Sequence, residues 1–171
     1  VARQARGRIR QESNPHDVRA EVVTGDARRV NLRRALDRAE VGQVQLVILH
    51  PPYHDIIVFS DNRNDLSTAR TADDFLRMFG EVVDNATPLL ERGRYLAVVI
   101  GDKYARGEWQ PLGFACMQEV LKREYRLKSV VVKNFDETRA KRDRKQLWRY
   151  RALAGGFYVF KHEYVLLFQK K

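Results

Sequence analysis

The sequence predicts an α/β domain built on a mainly parallel sheet. Two observations lead there. Short, fully apolar strands alternate with amphipathic helical stretches and no hairpin turns, and three of the strands end in polar punctuation. Strands buried on both faces read as continuous apolar runs, and in open sheets of this kind ligands sit outside the carboxyl ends of the strands.

Taken in order, residues 1–17 are basic and without periodicity, a separate arm or loose helix carrying Arg3, Arg6, Arg8 and Arg10, and residues 18–171 form the domain proper. Glu21-Val22-Val23-Thr24 reads as a short strand ending at Gly25-Asp26, followed by a helix from Val30 to Ala39 with Leu32 and Leu36 on one face. Gln45 to Leu49 is an apolar strand that stops at His50-Pro51-Pro52-Tyr53, where two prolines remove backbone donors and forbid further pairing or helix. A polar connection leads to a helix from Ala72 to Leu90, with Phe75, Met78, Phe79 and Val82 at helical spacing. Glu91-Arg92-Gly93-Arg94 reads as a turn before the strand Tyr95–Ile100, which ends at Gly101-Asp102. A helix from Leu112 to Arg123 and strands at Leu127–Val132 and His162–Gln169 complete the pattern.

Composition bounds the function. The 171 residues include 44% hydrophobic side chains, enough for a core, and 32 Lys and Arg against 22 Asp and Glu, a formal charge of +10. That surplus favours a polyanion, nucleic acid before an anionic membrane. One cysteine, Cys116, sits in the apolar run Phe114–Met117, which excludes a disulfide framework and argues against cysteine-held zinc. No apolar run approaches the roughly 20 residues of a membrane span, and the Arg-rich start has no apolar core of a secretory signal. The expected compartment is cytoplasmic, in association with the nucleoid.

His50-Pro51-Pro52-Tyr53 is the sharpest chemical signal. The prolines set a rigid projecting loop with free carbonyls. An exocyclic base amine is a poor nucleophile because its lone pair is conjugated with the ring. Acceptors at His50 and the Pro51 carbonyl can hold its hydrogens and turn the lone pair towards a methyl donor, which is catalysis by positioning. Tyr53 offers a ring on which an extruded base can stack. A proline turn with an incidental aromatic is the bland alternative.

With Leu46 to Tyr53, Ile56-Ile57 and Ser60, this segment resembles the catalytic motif of the amino-methylating DNA methyltransferases, which modify adenine N6 or cytosine N4. More narrowly it is similar to a subgroup with His in the first place of the motif. That subgroup also carries Asp-Leu-Ser (here Asp65-Leu66-Ser67), Gly-Asp after the next strand (Gly101-Asp102), Pro-Leu-Gly-Phe (Pro111 to Phe114) and a His-Glu-Tyr strand (His162 to Tyr164). The resemblance runs from about Val22 to Lys170. It implies a Rossmann-like methyltransferase fold, S-adenosylmethionine as cofactor, DNA as partner, His50, Pro51, Pro52 and Tyr53 as catalytic residues, and Gly25, Asp26 and His50 at the cofactor.

Two departures stand out. His50 replaces the commoner acidic or amide residue; a neutral imidazole nitrogen accepts a hydrogen bond, whereas imidazolium cannot. The Pro-Phe-x-Gly-x-Gly type loop that holds the methionine end of the cofactor is missing, since Ala154-Gly155-Gly156-Phe157 is too short a match. The expectation is therefore a partial domain lacking its N-terminal Gly-rich strand-loop-helix, completed by a missing segment or a second polypeptide. The basic run with Arg139, Lys141, Arg142, Arg144, Lys145, Trp148 and Arg149 is the expected nucleic-acid contact, by phosphate pairing and stacking. No His or Cys near His54 has metal spacing, and no metal is expected. Three alternatives remain: an RNA methyltransferase, a protein methyltransferase, or a non-catalytic nucleic-acid-binding subunit that kept the fold.

Overall fold

A computed structural model describes residues 2–13, 15–16, 18–135, 145–159 and 161–171. The helices are α1 (Ala2–Gln11), α2 (Leu32–Arg38), α3 (Ala72–Ala86), α4 (Leu112–Leu121) and α5 (Lys145–Gly155). The strands are β1 (Val44–Leu49), β2 (Leu90–Ile100), β3 (Lys103–Ala105), β4 (Glu108–Gln110), β5 (Tyr125–Asn134) and β6 (His162–Lys170). The main sheet has the order β1-β2-β6-β5. β1 and β2 pair in parallel, and β6 pairs antiparallel with both β2 and β5. β1, β2 and β5 therefore run in one direction, with β6 inserted against them.

That insertion decides what gathers at the functional edge. The carboxyl ends of β1, β2 and β5 lie there, and so does the amino end of β6. The register confirms it, with Ile100 opposite Tyr164 and Lys133 opposite Glu163.

One face of the sheet is covered by α3 and α4. α3 begins at Thr71, whose side chain accepts from the Asp74 amide at 3.0 Å, and its first turn carries Asp73 and Asp74 against the positive end of the helix. Phe75, Met78, Phe79, Val82 and Val83 form its buried stripe. They meet Leu112, Cys116 and Val120 of α4, Leu96, Val98 and Ile100 of β2, and Leu166 and Phe168 of β6. Full burial of a side chain such as Phe79 stabilises by about 1.5–3 kcal/mol. Cys116 belongs to this core; burial, with Glu119 and Asp102 nearby, pushes its thiol up to about 12. It is an inert packing group.

Three sequence expectations are corrected. Glu21–Thr24 joins no ladder among the described residues. It runs instead along an apolar cleft of about 700 Å³ shared with α2 and β1, whose Leu46 and Ile48 stay exposed. Glu91–Arg94 is not a turn before a strand but an irregularity inside β2, where Gly93 takes φ +76° and the register against β1 slips. The chain does contain a hairpin, β3–β4, turned by Arg106 and Gly107 with φ of +57° and +82°. Paired positive φ values are the geometry of the tight hairpin turn, and Gly in the second place is its sequence mark.

Candidate active site

His50 follows β1 directly and is exposed, while Pro51, Pro52 and Tyr53 are partly buried. The loop separates two clefts. On one side, about 550 Å³ is lined by Gly25, Asp26, His50, Pro51, Pro52, Ser60 and Asn62. On the other, about 450 Å³ is lined by the same His50, Pro51 and Pro52 with Tyr53, Ile56, Ile57 and Phe59. The fold thus brings together every residue that the sequence nominated for catalysis and cofactor, in one continuous feature with the proline loop as its ridge.

Tyr53 does not project freely. Its ring lies on Gly101, where a Cβ would come within 2.8 Å of it, so only glycine admits this packing. Its hydroxyl donates to Glu163 Oε2 at 2.6 Å and lies 3.4 Å from His50 Nε2. Glu163 also accepts from Lys133 Nζ at 2.9 Å. Burial raises the Glu163 carboxyl, but the Tyr53 and Lys133 bonds outweigh it and leave the group below its ordinary value. Burial, then Glu163, raises the Tyr53 phenol. Tyr53 is a protonated donor at any working pH.

The turn after Tyr53 is held as firmly. His54 is buried and takes φ +56°, an unusual conformation for a residue with a Cβ. Its Nε2 lies 2.9 Å from the Ala69 carbonyl, and its Nδ1 lies 3.3 Å from Lys103 Nζ, which also pairs with Asp55. Since a carbonyl only accepts and an ammonium only donates, His54 carries its hydrogen on Nε2. Farther along, Asp65 accepts from the Ser67 amide and hydroxyl at 2.9 and 2.8 Å and from Ser60 at 2.8 Å. The Asp-Leu-Ser motif is thus the lock of the connection that walls the first cleft.

Asp102 organises the neighbouring edge. It is 2% exposed and accepts from the Gly113 amide at 3.0 Å, Trp109 Nε1 at 3.1 Å and the Tyr164 hydroxyl at 3.1 Å. It caps α4 from outside the helix. Burial, with Asp102 beside it, pushes the Tyr164 phenol up to about 12. Gly113 is forced as well, because a Cβ there would meet the Tyr164 ring at 2.4 Å.

Asp26, nominated for the cofactor, lines the first cleft but is already engaged. Arg28 donates to both its oxygens, at 3.0 and 2.8 Å, and that pairing holds its carboxyl below the ordinary range. A carboxylate with about four acceptor positions keeps room for a ligand hydroxyl beside such a pair. Of the basic run, Arg139, Lys141, Arg142 and Arg144 lie outside the described residues. Lys145, Trp148 and Arg149 fall on α5, where Arg149 is exposed beside Tyr150.

Glu163, Lys133 and Lys103 were not nominated by sequence reasoning. The signal was present only for Glu163, inside His162-Glu163-Tyr164, whose role depends on β6 entering the edge by its amino end. Among the described residues no cluster of His, Cys, Asp and Glu could hold a metal, and no helix is long and apolar enough to cross a membrane.

The DNA methylase family profile matches residues 44–171, three quarters of the sequence, and the chain belongs to that family. Among solved structures it is similar to TTHA0409 of Thermus thermophilus, assigned as a DNA modification methylase. The form complexed with S-adenosyl-L-methionine matches with a TM-score of 0.55 at 22% identity, over 86% of this chain and 54% of that one. A second form of the same protein gives 0.54 at 22% identity, over 86% and 52%. These likenesses establish the Rossmann-like methyltransferase fold; the chain spans about half the length of these neighbours. No curated protein matches at a significant level.

Proposed function

We propose that this chain is the catalytic part of an S-adenosylmethionine-dependent methyltransferase acting on the exocyclic amine of adenine (N6) or cytosine (N4) in DNA. The observation that carries the reading is the proline ridge, with Gly25 and Asp26 on one side and Tyr53, Ile56, Ile57 and Phe59 on the other. A ridge that offers acceptors to both sides can present an amine held in one cleft to a donor held in the other. The first cleft has the size of a small-molecule site, and its acidic and amide groups suit a cofactor with a ribose and a cationic centre. Gly25, Asp26 and His50 would hold it there; when bound, S-adenosylmethionine supplies the electrophilic methyl group. The His50 imidazole and the Pro51 carbonyl take hydrogen bonds from the amine, and the apolar wall with Tyr53 receives the base. TTHA0409 in complex with S-adenosyl-L-methionine is in keeping with this cofactor, and the family with this substrate class.

The Gly-rich half of the cofactor site is expected from a segment or polypeptide outside this sequence, in a cytoplasmic, nucleoid-associated enzyme. Calorimetry should accordingly find weak S-adenosylmethionine binding to the 171-residue chain, and saturation at low-micromolar cofactor would overturn that division of the site. The substrate is tested with methyl-labelled cofactor offered to the completed enzyme with DNA, RNA and protein. Label should appear in N6-methyladenine or N4-methylcytosine of DNA; label in RNA or protein alone, or none at all, would reject the reading.

The basic run is proposed to contact phosphates. Replacing Arg142, Arg144 and Lys145 with alanine should weaken DNA binding and flatten its salt dependence by about 0.9 log units of slope per lost duplex contact. An unchanged slope would leave the run a solvated surface.

A further inference from the structure

We propose that Glu163, acting through Tyr53, is a positioning residue that fixes His50 as its Nε2–H tautomer and leaves Nδ1 as the acceptor for the target amine. The inference rests on the methyltransferase reading for its purpose, but its structural content stands on three hydrogen bonds.

The polarity of the chain follows from what each group can do. Lys133 Nζ only donates, and it donates to Glu163 Oε1 at 2.9 Å. Glu163 is ionised and only accepts, so the 2.6 Å contact with Tyr53 must carry the phenolic hydrogen. The Tyr53 oxygen, its one hydrogen committed, faces His50 Nε2 at 3.4 Å with a lone pair, which calls for a hydrogen on Nε2. In a neutral ring with Nε2 protonated, Nδ1 is the bare nitrogen. The contact to His50 is at the long end of hydrogen bonding, so the bias it transmits depends on Tyr53 being unable to turn its hydroxyl round. The ring's seat on Gly101 and the short bond to Glu163 prevent that. Glu163 is 7% exposed, so water offers the phenol little competition. An acidic residue in the motif's first place needs no such device, because both its oxygens accept; a histidine has one acceptor and must be told which nitrogen it is.

Glu163→Gln tests the chain with a nearly isosteric change. Lys133 can only donate, so the new amide presents its oxygen to it and turns its NH2 towards Tyr53. The phenol then accepts from that NH2 and donates to His50 Nε2, and the tautomer inverts to Nδ1–H. The readout is long-range proton–nitrogen NMR of the imidazoles in the 171-residue chain, in alkaline buffer, with melting temperature as the folding control. The parent should show Nε2–H at His50, Glu163→Gln should show Nδ1–H, and Glu163→Gln in a Tyr53→Phe background should show no inversion. A parent in the Nδ1–H form, a Glu163→Gln ring still in the Nε2–H form, or inversion that persists without the Tyr53 hydroxyl would each overturn the proposal. None of these needs cofactor or DNA, so they are separate from a failure of the methyltransferase reading, which the labelled-methyl experiment detects. In the completed enzyme the inverted ring should lower single-turnover methylation at least 10-fold with DNA affinity unchanged.

Discussion

Replacing His50 with alanine is expected to slow the methyl-transfer step by about 10²-fold or more, the order lost when one preorganised hydrogen-bonding group is removed from a reacting centre, while the protein folds as before. That is about 2.7 kcal/mol of barrier. His50 is exposed, its only described hydrogen-bond partner is Tyr53, and truncation adds no bulk, so no core contact is lost. DNA affinity should change little, because the phosphate contacts proposed for the basic run lie elsewhere. Single-turnover methylation by the completed enzyme, with melting temperature and DNA binding measured beside it, checks the point. Methylation at the parent rate would remove the loop from the chemistry.

The largest effect on stability is expected at Asp102. Alanine there removes the acceptor shared by three donors, the first-turn amide at Gly113, the Trp109 indole and the Tyr164 hydroxyl, of which the hydroxyl keeps His162 Nε2 at 3.1 Å as a second partner. A buried donor left without a partner costs about 1–3 kcal/mol. Trp109 is 36% exposed and can turn to water, so the loss should be on the order of 2 kcal/mol, carried chiefly by the buried Gly113 amide, whose bond to Asp102 is the cap on α4. In a domain of this size that lowers the melting temperature by roughly 6 °C. Asp102→Asn keeps a carbonyl oxygen for one or two of the donors and should cost less. Urea unfolding of the parent and both variants gives the comparison; an Asp102→Ala loss below about 1 kcal/mol would mean that water or relaxation satisfies these groups.

Much of this architecture was legible in the residues. The strand at Gln45–Leu49, the stripe Phe75–Met78–Phe79–Val82 and the helix after Pro111 appear where apolar periodicity places them. The four-residue motif at His50 was visible because prolines after an apolar run have few structural readings. What the sequence hid was relational. Glu21–Thr24 has strand composition, but a strand exists only if a ladder partner is beside it. The hairpin at Arg106-Gly107 was missed because its strands are three residues each, too short for alternation to register. Above all, Glu163 looked like one charge on a strand. Its meaning depends on β6 running against its neighbours, which no local pattern encodes. Likewise Asp26 reads as a ligand-binding acid until Arg28 is found on both its oxygens.

The place of β6 between β2 and β5 also sets the order in which this protein can be built. β5 reaches the sheet only through β6, whereas β1, α3 and β2 follow one another along the chain. Bringing Glu163 of β6 to Tyr53 spans 110 residues, against 49 from Leu49 to its partner Val98, an entropic cost met before any contact repays it. Until that happens Tyr53 has no carboxylate to hold it and His50 no preferred nitrogen. Assembly of the reacting geometry is therefore a late folding event, and loss of the contacts at the amino end of β6 switches it off. Hydrogen exchange should show β5 and β6 opening together as one unit.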